Sequence, residues 1–378
     1  VGSLVPLLAL RRFQLQGHRP LLLLGGATGM IGDPSGRDDE RSLNAGETVS
    51  NWIQALRVQV SGFLEFDTQD GTAAKIVNNL DWTHDLPVID FLRDIGKHFS
   101  VNSMIQRDSV KSRLERTNEG ISYTEFSYML LQAMDFLRLA QNEGCLLQIG
   151  GSDQWGNIVS GIDLIRRHTG ESAFAFTMPL VTKADGTKFG KSAAGAVWID
   201  PKKTSPYAFY QFWLNTADAD VVSFLKLFTF LAQDEIESLE VEIQDRPELR
   251  QAHKKLAQEV TTIVHGEQAV VAAERISAAL FAGDAGHLLE SDLRELQQDG
   301  MPCTSCAAGT GLLTAMVEAG LTKSTGEARK LIQANGIKLN GDSIDDVGRD
   351  LTFEDALFKR FYLLRKGKKN YHLIARPR

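Results

Sequence analysis

At 378 residues, with 43% hydrophobic and 24% charged content, the sequence is long enough for two or three globular domains and too apolar for a disordered chain. No apolar run approaches the roughly 18 residues of a membrane span, and three cysteines (Cys145, Cys303, Cys306) cannot build a disulfide framework, which fits a reducing, cytoplasmic setting. The net charge of −7 is uneven: residues 310–378 hold 13 Lys and Arg against 8 Asp and Glu, a local +5 that leaves the remainder at −12 and suggests a nucleic-acid partner for the tail alone.

The chain opens with Gly2-Ser3 directly before apolar positions at helical spacing over 4–16. A helix N-terminus favours anions through its free N–H groups and dipole. Residues 1–13 begin apolar, but Pro6, Arg11 and Arg12 interrupt any signal-peptide pattern. The start at Val1 rather than Met leaves a targeting segment open. Residues 20–24 read as a buried parallel strand that closes on Gly25-Gly26. The loop that follows carries Thr28, Asp33 and Ser35, and beyond it stand Arg37 and Arg41, either flanking a polyphosphate or simply at the surface. Further strands are expected at 74–79 and 145–151, with helices at about 45–66, 87–98, 102–116 and 124–142. Strand–helix alternation with glycines at strand ends predicts an α/β fold with a doubly wound parallel sheet, which binds ligands beyond the carboxyl ends of its strands.

After Pro206 the pattern is helical only, through about residue 281, with amphipathic segments at 249–264 and 267–281. Residues 282–310, rich in Gly, Asp, Ser and Cys, read as a connector. Cys303-Thr304-Ser305-Cys306 is a single CxxC there. A zinc site would need two more ligands, so a plain linker is the better reading and no protein-bound metal is expected. The last unit has two short helices and β-like segments at 336–340 and 360–374.

Three clusters carry chemistry. On the helix over 124–142, Tyr128, Gln132 and Asp135 are spaced i, i+4, i+7 and share one face. They form either a solvent stripe or a pocket wall able to hold the ammonium and a polar end of a small zwitterion. Gln148 leads into Gly150-Gly151-Ser152-Asp153-Gln154, where the glycines let backbone lie against a ribose and Asp153 can accept its hydroxyls, unless the turn is only structural. Finally, Lys188-Phe189-Gly190-Lys191-Ser192 puts two mobile lysines and a hydroxyl on a glycine loop, suited to a polyphosphate or merely solvated.

Together these segments resemble the tyrosyl-tRNA synthetases of bacterial type, which are class I aminoacyl-tRNA synthetases. GGATGMIGDPSGR, TEFSYMLLQAMDF, LQIGGSDQWGN and KADGTKFGKS all look like that family, in its order, and the resemblance covers essentially the whole chain. KFGKS matches the family's KMSKS loop, and the tail segment GLTKSTGEARKLIQANGIKLNG resembles an RNA-binding fold named after a small-subunit ribosomal protein. The resemblance implies a Rossmann-like catalytic domain over 1–205 with an insertion at about 79–125, a helical anticodon-side domain over 206–281, the connector 282–310, and an RNA-binding domain over 311–378.

It also implies ATP-dependent activation of tyrosine to tyrosyl-adenylate, with Mg²⁺ accompanying the ATP, then transfer to the 3′ end of tRNA(Tyr). Asp33, Tyr128 and Gln132 would bind the tyrosine ammonium, Asp135 the phenol hydroxyl, and Gln154, with Gln148 nearby, the carboxyl region. Gly2, Ser3, Gly151, Asp153 and Lys191 would hold ATP. Lys188, Lys191, Ser192, Arg37 and Arg41 would stabilise the pyrophosphate, with no general base needed. In the tail, Lys323, Arg329, Lys330, Lys338, Lys359, Arg365, Lys366, Lys368 and Lys369 are phosphate-contact candidates as a group. The family is expected to form homodimers through the insertion.

Two departures stand out. Val1-Gly2-Ser3 looks like the end of the family's HIGH motif, so its leading His, its first strand, a second phenol-binding Tyr and a further Asp would precede Val1. The motif's last position is Ser3 rather than His. These favour one alternative, a non-catalytic RNA-binding relative. Another nucleotidyltransferase would not explain the stripe of Tyr128, Gln132 and Asp135 or the basic tail.

Overall fold

The computed structural model describes the chain except residues 34–42, 108–109, 112–113, 115–120, 185, 187–188, 193–194, 308, 368–369 and 378, and the side chains of Lys191 and Ser192. It divides into two compact units, residues 2–189 and residues 190–378 with Val1.

In the first unit, α1 (Leu4–Leu15) leads to β1 (Leu21–Leu24), four leucines closed by Gly25-Gly26. Glycine is required at both places: a Cβ on Gly25 would stand 2.6 Å from Thr28 Oγ1, and one on Gly26 2.2 Å from Asn78 Oδ1. A single helical turn, α2 (Thr28–Ile31), and α3 (Gly46–Val60) carry the chain to β2 (Lys75–Asn78), which pairs parallel to β1 with Leu21 opposite Lys75. After the turn α4 (Leu80–Thr83), the helix expected over 87–98 is uneven. It is α-helical at Val88–Asp90, widens by one residue per turn at Phe91–Ile95 and tightens at Gly96–His98. The helix expected over 102–116 is formed at Val101–Ile105 and falls partly outside the described residues.

The long helix α5 (Tyr123–Glu143) is bounded as its sequence dictates. Ser122 Oγ accepts from the Glu125 N–H at 3.3 Å, and Gly144 ends it in the left-handed conformation (φ +65°). Its buried stripe of Ala133, Met134, Phe136 and Leu137 packs on Ile158, Leu164 and Ile165 of α6 (Trp155–Thr169). Burying a side chain such as Phe136 contributes about 2–3 kcal/mol. The two helices approach closely at Gly161, where a Cβ would meet Phe136 at 2.8 Å. Between them lies β3 (Leu147–Gly151), and β4 (Phe174–Met178) follows α6; these strands pair in parallel, Leu147 opposite Phe174.

Among the described residues the strands thus form two parallel pairs rather than one continuous sheet. Among these residues β1 pairs with β2 and β3 with β4, which leaves one edge of each without a described partner strand. Residues of both strands, Leu21–Leu23 and Leu147–Ile149, line a common cavity of about 660 Å³, walled also by Pro6, Leu10 and Phe13 of α1 and Phe136 and Leu139 of α5.

The second unit begins with a short antiparallel pair, Lys191–Ser192 with Gly195–Ala196. Five helices follow: α7 (Pro206–Leu214), α8 (Asp218–Phe228), α9 (Gln233–Asp245), α10 (Gln251–His265) and α11 (Glu267–Ala282). Pro206 occupies the first turn of α7, and the Ser205 hydroxyl accepts from Ala208 N–H at 3.1 Å. Trp213, Phe209, Phe224 and Phe228 form an aromatic core, with the Trp213 and Phe228 rings 4.9 Å apart.

The stretch 282–310 differs from its loop-like composition. Leu288, Leu293 and Leu296 are buried, and it holds α12 (Glu290–Glu295) and the strand β5 (Cys303–Ser305). The carboxylate of Asp292, fully buried, accepts two hydrogen bonds from Arg275 (2.8 and 2.7 Å) and one from Leu289 N–H at 2.8 Å. β5 belongs to the C-terminal sheet with β6 (Ile337–Leu339), β7 (Asp342–Ser343), β8 (Phe361–Lys366) and β9 (Asn370–Ala375), in the order β5-β9-β8-β6-β7. Two helices, α13 (Leu312–Glu318) and α14 (Thr325–Gln333), cover it with Leu312, Met316, Ala328 and Ile332, and Cys306 lies in the same core.

Candidate active site

The glycine turn after β1 and the asparagines that end β2 face each other. Asn79, 1% exposed, accepts from Ala27 N–H at 2.8 Å and donates to Thr28 Oγ1 and Asp135 Oδ2, both at 2.9 Å. Asp135 takes its other hydrogen bond from Trp82 Nε1 at 2.8 Å. Its carboxylate is 2% exposed with two neutral donors, and burial pushes its pKa up to about 6 although both hydrogen bonds pull it down. A carboxylate has about four lone-pair sites, so two donors leave room for a third.

A second polar chain runs along the half-buried face. Gln154 Nε2 donates to Asp33 Oδ2 at 2.7 Å and to Asp153 Oδ2 at 3.2 Å. Asn157 Nδ2 donates to Gln132 Oε1 at 2.9 Å and to Gln154 Oε1 at 3.4 Å. Gln132, Gln148 and Gln154 all line the 660 Å³ cavity, and the buried Oε1 of Gln148 has no hydrogen-bond partner among the described residues. Tyr128 is buried one turn before Gln132. Gly151 keeps its place beside Asp153, whose Oδ1 a Cβ there would meet at 2.4 Å.

The helix α1 starts at Leu4, and Ser3 makes no side-chain cap, so Gly2 and Ser3 lie exposed at a helix N-terminus. Arg37, Arg41 and Lys188 lie outside the described residues, as do the side chains of Lys191 and Ser192. Among the described residues no group of three or more His, Cys, Asp or Glu side chains is placed to hold a metal ion.

In the tail, Lys323, Arg329, Lys330 and Lys359 are exposed, and Lys338 is half-buried opposite Arg365. Lys366 Nζ donates to Leu321 O at 2.6 Å and reaches Glu327 at 3.4 Å, while Arg365 Nε donates to Gly367 O at 2.9 Å. Those two side chains are engaged within the protein. Lys368 and Lys369 lie outside the described residues.

Residues 1–282 match the family profile for tRNA synthetases class I (W and Y), and residues 292–374 match the tyrosine–tRNA ligase SYY-like C-terminal domain. A tyrosine–tRNA ligase of Yersinia enterocolitica is 55% identical over 375 residues, which span 99% of this chain and 88% of that protein. The chain belongs to the tyrosine–tRNA ligase family. A ligase of Geobacillus kaustophilus is 54% identical over 99% of this chain and 88% of its own length. Among solved structures, a C-terminally truncated Aspergillus nidulans mitochondrial tyrosyl-tRNA synthetase is 31% identical, covers 74% of this chain and 82% of its own, and superposes with a TM-score of 0.66. The tyrosyl-tRNA synthetase of Archaeoglobus fulgidus shares the fold (TM-score 0.51, 15% identity, covering 71% of this chain and 84% of its own).

Within this family member, Asn79, Trp82 and Asn157 escaped the sequence reading. The only signal for the first two was a polar Asn78-Asn79 pair ending an apolar strand, with an indole three residues on. Asn157 sat in plain view three residues after Gln154, with no sign that it would tie Gln154 to Gln132.

Proposed function

We propose that this chain activates L-tyrosine with MgATP and transfers the tyrosyl group to tRNA(Tyr). In the first step a tyrosine carboxylate oxygen attacks the α-phosphorus of ATP, the bond to the β-phosphate oxygen breaks, and pyrophosphate leaves. In the second, a hydroxyl of the tRNA 3′ end attacks the tyrosyl carbonyl and AMP leaves. Neither step asks the protein for a base, so its part is positioning and charge stabilisation. The observation that supports the reading is the polar chain from Asp33 through Gln154 and Asn157 to Gln132, which brings three of the residues assigned to tyrosine together, with the under-compensated carboxylate of Asp135 on the same helix as Gln132.

In this assignment Asp33, Tyr128 and Gln132 hold the ammonium, Gln154 the carboxyl region, and Gly151 with Asp153 the ribose. Asp135 accepts the phenol hydroxyl. Gly2 and Ser3 at the start of α1, with Lys188, Lys191, Ser192, Arg37 and Arg41, take the polyphosphate. The edges of β1 and β3 without a described partner strand suit an added parallel strand, and we read the family's first strand as its occupant. A basic C-terminal domain holding tRNA through salt-sensitive contacts fits the exposed Lys323, Arg329 and Lys330.

A homodimer through the insertion at about 79–125 is supported by Val88, Ile89 and Val101, which are 68%, 67% and 57% exposed. The described residues include no helix long and apolar enough to cross a membrane, and three unpaired thiols fit the cytoplasm.

The test is tyrosine-dependent ATP–pyrophosphate exchange, with phenylalanine as control, on this chain and on one extended by the family's first strand. Exchange specific for tyrosine supports the assignment. Silence of both chains, with tRNA still bound, would instead make this a non-catalytic RNA-binding relative.

A further inference from the structure

The helix α11 ends against the C-terminal sheet at a joint that the chemistry of tyrosine activation does not use. The last carbonyls of a helix lack intrahelical partners. Here the carbonyl of Leu280, in the last turn of α11, accepts a hydrogen bond from the Tyr371 hydroxyl of β9. Arg365, the cross-strand neighbour of Tyr371, donates to that same hydroxyl from Nη1 at 3.2 Å. Its guanidinium lies so close over Gly283 that a Cβ there would stand 1.5 Å from Nη1. A cation at a helix C-terminus is electrostatically favoured.

The second contact is backbone against backbone. Gly341, in the turn between β6 and β7 at φ +104°, is so near that a Cβ on it would meet Gly283 O at 3.2 Å and Ala285 N at 3.5 Å. Gly283 itself sits at φ +75°. Glycine on both sides, a phenol capping the helix and an arginine bridging them make a fitted joint rather than a loose tether.

We propose that this joint fixes the C-terminal domain on the helical region, and that Tyr371 and Gly283 are positioning residues for tRNA. They hold two RNA-facing parts at a set spacing without touching RNA. A partner bound at two places loses affinity when the link between those places loosens, because the effective concentration of the second contact falls. The inference rests on the reading of the basic C-terminal domain as a tRNA-binding element.

Two substitutions in the full chain test it. Tyr371→Phe removes the hydroxyl and keeps the ring; Gly283→Ala drives a methyl into the Arg365 guanidinium. Both should raise the tRNA dissociation constant and KM about five- to tenfold, with kcat little changed. Pyrophosphate exchange, which needs no tRNA, should be unaltered, and amide exchange at Gly283–Ala285 and Gly341 should quicken. An unchanged tRNA dissociation constant in Tyr371→Phe overturns the proposal, whether or not amide protection falls. Charge reversal by Lys323→Glu with Lys330→Glu separates the two readings. If it leaves tRNA affinity untouched, the basic domain is not the RNA-binding part and the proposal falls with it. If it weakens binding while Tyr371→Phe does not, only the joint falls.

Discussion

Two aspartates in this chain are almost equally buried and are treated in opposite ways. Asp292, in the helical region, meets a full positive charge: Arg275 grips both its oxygens and the backbone N–H of Leu289 adds a third donor. Asp135, in the catalytic unit, meets only the neutral Asn79 amide and Trp82 indole, and burial pushes its pKa up to about 6. A buried carboxylate is costly unless a charge or several donors offset its lost hydration. The fold completes that offset for Asp292 and stops short of it for Asp135. On the proposed assignment, the phenol hydroxyl of tyrosine takes the acceptor capacity that Asp135 leaves spare. Asp292, by contrast, is structure: it ties α11 to the stretch leading into the C-terminal sheet.

Substitutions should separate the two roles. Asp135→Ala is expected to lower the ratio of kcat/KM for tyrosine over phenylalanine by about a thousandfold or more, because discrimination by a buried hydrogen-bond acceptor is worth that much. Competition kinetics in pyrophosphate exchange would measure it, and a ratio that survives would remove Asp135 from phenol recognition. Asp292→Ala should leave that ratio alone. It strands Arg275 and uncaps α12, and should lower stability by about 3 kcal/mol, somewhat less to the extent that Arg275 reaches solvent. The midpoint of urea unfolding reads this directly.

The contrast also has a pH signature. For Asp135 the folded-state pKa of about 6 lies above the ordinary value of 3.8, so the fold binds the proton more tightly than the unfolded chain does. Its ionisation therefore penalises the folded state: the penalty is absent below the ordinary value, grows between there and about pH 6, and is complete above. Full ionisation costs about 3 kcal/mol. On the proposed assignment, the phenol needs the ionised acceptor. Tyrosine affinity should fall by up to about tenfold per pH unit below about pH 6, and Asp135→Asn should flatten that dependence. Calorimetric titrations of tyrosine across pH 5 to 8 test it; a flat profile in the parent chain would mean that the ionised carboxylate is not what the ligand meets.

Much of this was legible in residues alone. The stripe of Tyr128, Gln132 and Asp135 follows from helical periodicity, and the helix is bounded where Ser122 and Gly144 place its caps. The glycine turns were legible as well, because only glycine fits where Asn78 and Thr28 press against the backbone. What escaped was long-range. Nothing local announces that Asn79 and Trp82 reach across more than fifty residues to one carboxylate, or that Arg365 bonds the Tyr371 hydroxyl and lies against Gly283. The stretch 282–310 misled through composition: its glycines and polar residues look like a connector, while three leucines and Asp292 bury it. The parallel α/β pattern expected from strand–helix alternation is present, but alternation sets strand direction and not which edges meet: among the described residues the strands form two parallel pairs flanking a cavity.

The smallest expected effect is the sharpest test of how the Asp135 end works. Trp82→Phe keeps an aromatic ring in the half-buried site and removes only the Nε1–H donor at 2.8 Å. With one of its two hydrogen bonds gone, the carboxylate is less well compensated, so its pKa should rise further and the pH dependence of tyrosine binding should move upward with it. At neutral pH the affinity loss should be modest, about three- to tenfold, the weight of one hydrogen bond to a charged group seen through its effect on a neighbour. The shift of the midpoint matters more than the loss. If Trp82→Phe weakens tyrosine binding equally at every pH, the indole acts by shaping the pocket. If it moves the midpoint upward, the indole acts by holding the charge on Asp135, and Trp82 and Asn79 together set the pH at which phenol recognition switches on.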